Sequence, residues 1–537
     1  MVLIRLSLCV ASLSWLVQFL VFADDRLIVD TGYAKYRGNL SYPDTVVYLG
    51  IPYAEPPLGD RRFRAPVSLD TVRIALEANG AVLDATSYPD FCIQGTTGAG
   101  DVGGAGSEDC LKINIYSPIN GSDLPVLVYI HGGGYVYGNP ANFPFDHWVH
   151  QSPNVVIASI YYRLSSFGFL AIPEFVDATN GDFNVGFLDQ IQALKWVKQH
   201  IGAFGGDPSR VTINGQSAGG TSVELHLVAH EDESLFSSAI VQSTYRTPLP
   251  LPEQQRPLFD FYSERAGCES DSLSSKLQCL RDANVSALAR AQDAAASGEF
   301  AGPYHAFNPV VDGKILTEFP TMSMALGHFS RVPLIVGATS NESYAPGYDI
   351  PSSLKILFPG LDEQDTDDYL LVNNFANPSF RCTHLRTLTP NSKDWPQRLV
   401  ILAGAYSSNT WTYRYNQPNP TSGSPTIVAH GAENWMMFLG SNTGYNGSAT
   451  FNSMTPEETA FSQELIAYWL SFVRAKDPNT FKLERSPVWD RFSLDEKRQV
   501  VLQQNSATTS GSFVELADEK EVARCQFVAS KVEKEQN

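Results

Sequence analysis

The sequence predicts an α/β protein with a large, mostly parallel central sheet and helices on both faces. Three observations lead there. Short runs rich in Val and Ile, at Leu124 to Ile130, Val155 to Tyr162, Val211 to Asn214, Ser238 to Gln242 and Val332 to Val336, read as buried strands. Between two of them, Asn184 to Phe204 places Phe187, Leu188, Ile191, Leu194, Trp196 and Val197 at helical spacing. After the third, a glycine-rich turn leads into Thr221 to Ala229, another plausible helix. Apolar strands alternating with helices imply a sheet covered on both sides, with its chemistry at the carboxyl ends of the strands. No internal repeat, low-complexity tract or linker divides the chain, so residues 24–537 are expected to form one domain.

Ahead of that domain, Arg5 precedes an apolar stretch from Leu6 to Phe22, closed by Val21-Phe22-Ala23 and then Asp24-Asp25. A basic start, an apolar centre and a small residue before charge describe a signal peptide over residues 1–23, cut after Ala23, and hence a secreted protein. No later run has membrane length, and the charged tail lacks the apolar stretch of a lipid-anchor signal. The composition of the 537 residues, 43% hydrophobic, is ample for a large core. With 38 basic against 57 acidic side chains the net charge is −19, which argues against nucleic acid or an anionic membrane as partner. Oligomeric state is not legible.

Of seven cysteines, Cys9 falls in the leader; Cys92, Cys110, Cys268, Cys279, Cys382 and Cys525 remain, an even set suited to disulfides in an oxidising compartment. None has the Cys-x-x-Cys spacing of a zinc site, and no metal or cofactor is expected. Sequons at Asn39, Asn120, Asn284 and Asn446 fit the same compartment.

The turn after Val211-Thr212-Ile213-Asn214 reads Gly215-Gln216-Ser217-Ala218-Gly219-Gly220. This is G-x-S-x-G in the strand-turn-helix context of the α/β-hydrolase fold, where the tightness of the turn forbids side chains at its glycines and lifts the serine clear of the sheet. Ser217 is therefore the candidate nucleophile. An acyl-transfer serine needs preorganised donors for the oxyanion. His131-Gly132-Gly133-Gly134-Tyr135, just past the first strand, is the loop type that supplies them, and the amides of Gly133, Gly134 and Ala218 are the candidate oxyanion hole. His131 itself is expected to serve the packing of that loop.

Chain order in this fold runs serine, acid, histidine, so the base must come late. His384, beside Cys382, and His430, after the apolar Ile427-Val428-Ala429, are the two candidates; the strand-like lead-in favours His430. For the acid, Glu342 stands in a loop following Val332 to Val336, while its competitor Asp312 sits in an Asp-Gly turn. Glu342 is preferred. A buried acid there leaves no room for a glycan, so the sequon at Asn341 is expected to stay bare.

With these residues in place, the chain resembles the type-B carboxylesterases, the family of cholinesterases, liver-type carboxylesterases and large fungal lipases, and is most similar to the secreted fungal carboxylesterases. Tyr48 to Pro66, Glu108-Asp109-Cys110-Leu111, the glycine loop, and Asn184 through Gly220 carry the likeness over nearly the whole mature chain. The resemblance implies Ser217, Glu342 and His430 as a triad, disulfides Cys92–Cys110 and Cys268–Cys279 with Cys382–Cys525 as a third, and an ion pair between Arg62 and Glu108.

Departures from the family pattern narrow the substrate. Gln216 stands where many members carry Glu, and the loop between Cys92 and Cys110 is short and lacks Trp, which together disfavour a choline ester. The same loop has too few apolar residues for a lipase lid. Asn341-Glu342-Ser343 replaces the commoner D-E-G. The expectation is a carboxylesterase acting on small-molecule esters. A lipase or sterol esterase, an esterase dedicated to one metabolite, and a non-catalytic adhesion relative are the alternatives.

Overall fold

A computed structural model describes residues 25–95, 105–229, 235–244, 248–304, 306–342, 354–355, 358–373, 409–423, 427–444, 447–493, 495–517 and 530–536. The leader, Cys382, Cys525, His384 and Asn446 lie outside them.

The strands in chain order are β1 (Ile28–Asp30), β2 (Lys35–Arg37), β3 (Asn39–Tyr42), β4 (Thr45–Pro52), β5 (Val82–Asp84), β6 (Lys112–Pro118), β7 (Leu124–Ile130) and β8 (Val156–Ile160). There follow β9 (Gly206–Gln216), β10 (Ser238–Gln242), β11 (Leu334–Thr339), β12 (Thr410–Tyr415), β13 (Ser441–Thr443), β14 (Ala449–Phe451), β15 (Arg498–Leu502) and β16 (Phe513–Leu516). Eleven of them form one sheet in the order β16-β15-β12-β11-β10-β9-β7-β8-β6-β4-β3. From β15 to β8 every pairing is parallel; antiparallel neighbours occupy both margins. Small sheets β1-β2-β5 and β13-β14 flank it.

The central strands read as unbroken apolar runs because they are buried on both faces. Along β7, Val126, Val128 and Ile130 enter one core while Leu127 and Tyr129 enter the other. In β10, Ala239 and Val241 face one way and Ile240 the other, and β11 divides Leu334 and Val336 from Ile335. The two-residue period of a strand thus sorts one sequence into two cores. The first core is covered by helices Val185–His200 and Ala218–Ala229, the second by Ala432–Met437 and the long helix Pro456–Ala475.

The expected elements appear with shifted ends. The strand expected at Val211 starts at Gly206, which pairs with Leu124 of β7 before an irregularity, after which Val211 pairs with Val126. The strand expected at Val332 to Val336 runs Leu334–Thr339, carried onward by its pairing with β12. Disulfides Cys92–Cys110 and Cys268–Cys279 are formed. Arg62 makes a two-pronged pair with Glu108 at 2.7 and 2.6 Å, and its remaining nitrogen donates to the carbonyls of Leu280, Arg281 and Ala283. The cation thereby satisfies carbonyls at the end of helix Leu273–Asp282.

A second ion pair fixes the helix Val185–His200 that precedes β9. Arg163, just past β8, grips Asp189 of helix Val185–His200 at 2.8 and 2.7 Å, and its own amide donates to the same carboxylate at 3.1 Å. Neither side chain reaches solvent to any extent. Removing one partner strands the other charge in the core. Asp189→Ala is therefore expected to cost about 3–5 kcal/mol, seen as a lower urea midpoint; an unchanged midpoint would show that the pair contributes nothing to holding this helix.

Candidate active site

Ser217 occupies the single residue between β9 and helix Ala218–Ala229, with φ of 61°. A non-glycine residue at positive φ is strained and must be held by its surroundings. Here the holding is steric and mutual. A Cβ built on Gly215 would lie 2.3 Å from the Gly219 carbonyl oxygen, and one on Gly219 would lie 2.0 Å from the Ile130 oxygen. The Ser217 amide donates to the Gln242 carbonyl at 3.0 Å. Three parallel strands thus hold the turn.

The loop after β7 packs against it. Gly133 has φ of 118°, and a Cβ there would meet the Tyr137 oxygen at 2.0 Å. Among the described residues, the amides of Gly133, Gly134 and Ala218 donate to no other group. His131 is buried, stacked on Tyr162 at 4.5 Å, and its Nδ1 lies 2.9 Å from the Gly132 oxygen; burial pushes it down to about 4, so the ring is neutral. The disulfide loop is tied in by Gln94, whose side chain exchanges two 2.9 Å hydrogen bonds with the backbone of Gly138.

Glu342 and His430 arrive on two segments laid side by side. The Asn341 amide donates to the Val428 carbonyl, the His430 amide donates to the Glu342 carbonyl, both at 3.0 Å, and the Val428 amide donates to the Asn341 side-chain oxygen at 3.0 Å. Asn341, 8% exposed, is consumed in joining the two loops. Nothing among the neighbouring residues announced this role beyond the oddity of Asn before Glu342.

The structure brings the three side chains together. His430 Nε2 lies 2.7 Å from Ser217 Oγ, and Nδ1 lies 2.5 Å from Glu342 Oε2. Glu342 Oε1 accepts from the Thr339 amide at 2.7 Å. His430 leaves 33% of its side-chain surface open, against 5% for Glu342, so the imidazole meets the cavity and the carboxylate does not. For Glu342, burial alone would raise the pKa; the charge and hydrogen bond of His430, with the Thr339 amide, outweigh it and hold the group below the ordinary carboxylate value. For His430, the surrounding protein disfavours the charged ring, but the Glu342 carboxylate wins and lifts the pKa above 6.5. Asp312, the competing acid, accepts from the amides of Lys314, Ile315 and Leu316 and from Asn184, as a turn-former does.

Sequence reasoning overlooked a second buried acid. Glu433, in the first turn after His430, is raised to about 8, chiefly by burial, and accepts from the Tyr413 hydroxyl at 2.9 Å. Its position three residues past His430 was visible, but its burial depends on Tyr413 from a distant strand. Gln216 is also buried and pairs through Oε1 with Asn434 Nδ2 at 2.9 Å. Ser217 and His430 open on a cavity of about 290 Å³, lined also by Gly132, Gly133 and Gln216.

This serine, histidine and carboxylate, with uncommitted backbone amides alongside, can perform nucleophilic acyl transfer. The chain matches the Carboxylesterase family over residues 25–399 and 393–528. It is 29% identical to acetylcholinesterase of Bungarus fasciatus, with 95% of this chain and 88% of the relative covered. Among solved structures it is similar to EstA of Aspergillus niger, with 28% identity, TM-score 0.78, and 95% and 99% of the two chains covered. It is also similar to PNB esterase, with 26% identity, TM-score 0.70, and 93% and 99% covered. A match of this extent, on an eleven-stranded sheet with this turn at its centre, has one meaning: the chain belongs to the carboxylesterase family, as a carboxylic ester hydrolase of type B.

Proposed function

We propose that this carboxylesterase is secreted and works by a Ser-His-Glu acyl-enzyme mechanism, on soluble small-molecule esters in preference to lipid interfaces. The observation that carries the mechanism is the unbroken path from Ser217 Oγ through both nitrogens of His430 to Glu342, at 2.7 and 2.5 Å. Secretion is supported by the leader-like start, the two disulfides and exposed sequons at Asn39, Asn120 and Asn284. Among the described residues no helix is long and apolar enough to cross a membrane.

In the first step His430 takes the Ser217 proton as Oγ attacks the ester carbonyl. The amides of Gly133, Gly134 and Ala218 receive the oxyanion, each worth roughly 3 kcal/mol in the transition state. His430 then returns the proton to the departing alcohol. Water repeats the sequence on the acyl-enzyme and releases the acid. Glu342 stays ionised throughout, fixing the tautomer and stabilising the imidazolium. Glu433, its pKa raised by burial to about 8, is mostly protonated near pH 7, so Glu342 supplies the larger share of the negative charge that His430 faces.

Three outcomes follow. Ser217→Ala should lower kcat on p-nitrophenyl acetate by about 10⁵-fold or more, and a fluorophosphonate should label wild type once, on Ser217; labelling of another residue, or turnover by the mutant, would refute the mechanism. Because His430 must be neutral to act and its pKa lies above 6.5, kcat/KM should rise with pH along a limb centred above 6.5. Glu342→Gln should shift that limb downward and cost about 10⁴-fold, whereas Glu433→Gln, replacing one neutral group by another, should cost less than about tenfold. Equal losses in the two glutamate variants would contradict the assigned charge states.

A further inference from the structure

Esterases that accept fatty chains present apolar walls to them, since an alkyl chain gains nothing from a hydrogen-bonding group and strips it of water. The cavity above Ser217 is mixed. Among the described residues the apolar Phe143 and Ile427 share its lining with the uncharged polar residues Asn142, Asn419, Asn434 and Asn442, and apart from His430 no charged group takes part.

At the rim these groups hold one another in place. Asn419 Nδ2 donates to Asn442 Oδ1 at 3.0 Å, Asn442 Nδ2 donates to Thr421 Oγ1 at 3.0 Å, and Thr421 Oγ1 donates to Asn419 Oδ1 at 2.8 Å. Each amide nitrogen has two protons and each of these bonds uses one, so both asparagines have donor capacity to spend on a ligand. At the floor a second, independent feature repeats the pattern. Gln216, 4% exposed and adjacent to the nucleophile, leaves Nε2 without a partner, and Asn434, bonded to Gln216 Oε1, leaves Oδ1 without one. This bonded pair therefore leaves one N–H donor and one carbonyl acceptor unsatisfied, a demand that a hydroxyl, which donates and accepts at once, can meet.

We propose that this wall selects esters whose acid or alcohol part is a polyol, a sugar-like or glycerol-like group with several hydroxyls and no charge. The inference rests on the catalytic reading of Ser217. Uncharged amides and hydroxyls suit such a group, while among the described residues lining the cavity an ionic substrate finds no counter-charge beyond His430. Sites built to bind a hydroxyl reject the analogue lacking it far more strongly than apolar pockets reject an added one.

The test compares matched pairs on purified full-length protein. For the alcohol side the pair is methyl 6-O-butanoyl-glucopyranoside against cyclohexylmethyl butanoate; for the acid side it is methyl gluconate against methyl hexanoate. In at least one pair the polyol should win by about tenfold or more in kcat/KM, and that ratio should fall by about fivefold or more in Asn442→Leu. A ratio within one preparation is immune to a loss of folded enzyme. Alkyl esters equal to or faster than polyols in both pairs, or a polyol preference that Asn442→Leu leaves intact, overturns the assignment to this wall. Turnover of p-nitrophenyl acetate abolished by Ser217→Ala, but with no polyol preference, sinks this inference alone. Turnover that survives Ser217→Ala sinks the catalytic reading and this inference with it.

Discussion

Everything in the active site depends on how closely backbones approach where β9 turns into its helix. Gly219 lies against the Ile130 carbonyl and Gly215 against Gly219, at separations that no Cβ could share. That contact puts β7, β9 and the following helix in a fixed relation, and only then does Ser217 stand at a positive φ with its hydroxyl exposed to the cavity. Gly132, at the end of β7, abuts the same turn, so the strand that lends its carbonyl to the contact also delivers the glycine loop. Ser217 and the amides of Gly133, Gly134 and Ala218 are thus placed by one steric event. Its strain is borne by the buried sheet around it.

Glu342 and His430 are placed by a different means. Hydrogen bonds, not close packing, join the loop after β11 to the one bearing His430, and Asn341 contributes both its backbone and its side chain to the join. This arrangement accounts for the unusual residue before the acid. Its amide oxygen takes up a backbone donor that would otherwise be buried without a partner. The electrostatics follow from the geometry: Glu342, with His430 and an amide for company, is held ionised, while Glu433, with a tyrosine hydroxyl, is pushed towards neutrality.

The parts legible in the sequence are those governed by local chemistry. Strands buried on both faces announce themselves as runs of Val and Ile, and the glycines of the turn and loop are dictated by space within a few residues. β12 escaped notice because Thr410–Tyr415 mixes aromatic residues with a buried Arg414, whose charge is met by Glu515 from β16 at 3.0 Å. Helix Pro456–Ala475 was there to be read: Thr455 and Glu458 form a reciprocal capping box ahead of it. Glu433 and the Gln216–Asn434 pair could not be read, because their character comes from partners far away in the chain. Residues whose role is set by burial rather than by motif become visible only once the fold has supplied the burial.

The division of the interior by the sheet gives the hydrogen bond between Ser217 and His430 an unusual position. The helix behind Ser217 is anchored in one core and the helix behind His430 in the other, and the sheet keeps the two packings apart. The 2.7 Å contact therefore joins two segments whose helices pack in opposite cores. Under the proposed mechanism, loosening either packing would act on the same bond, so turnover would gauge both at once, and cavities opened on opposite faces would combine at a place neither of them touches.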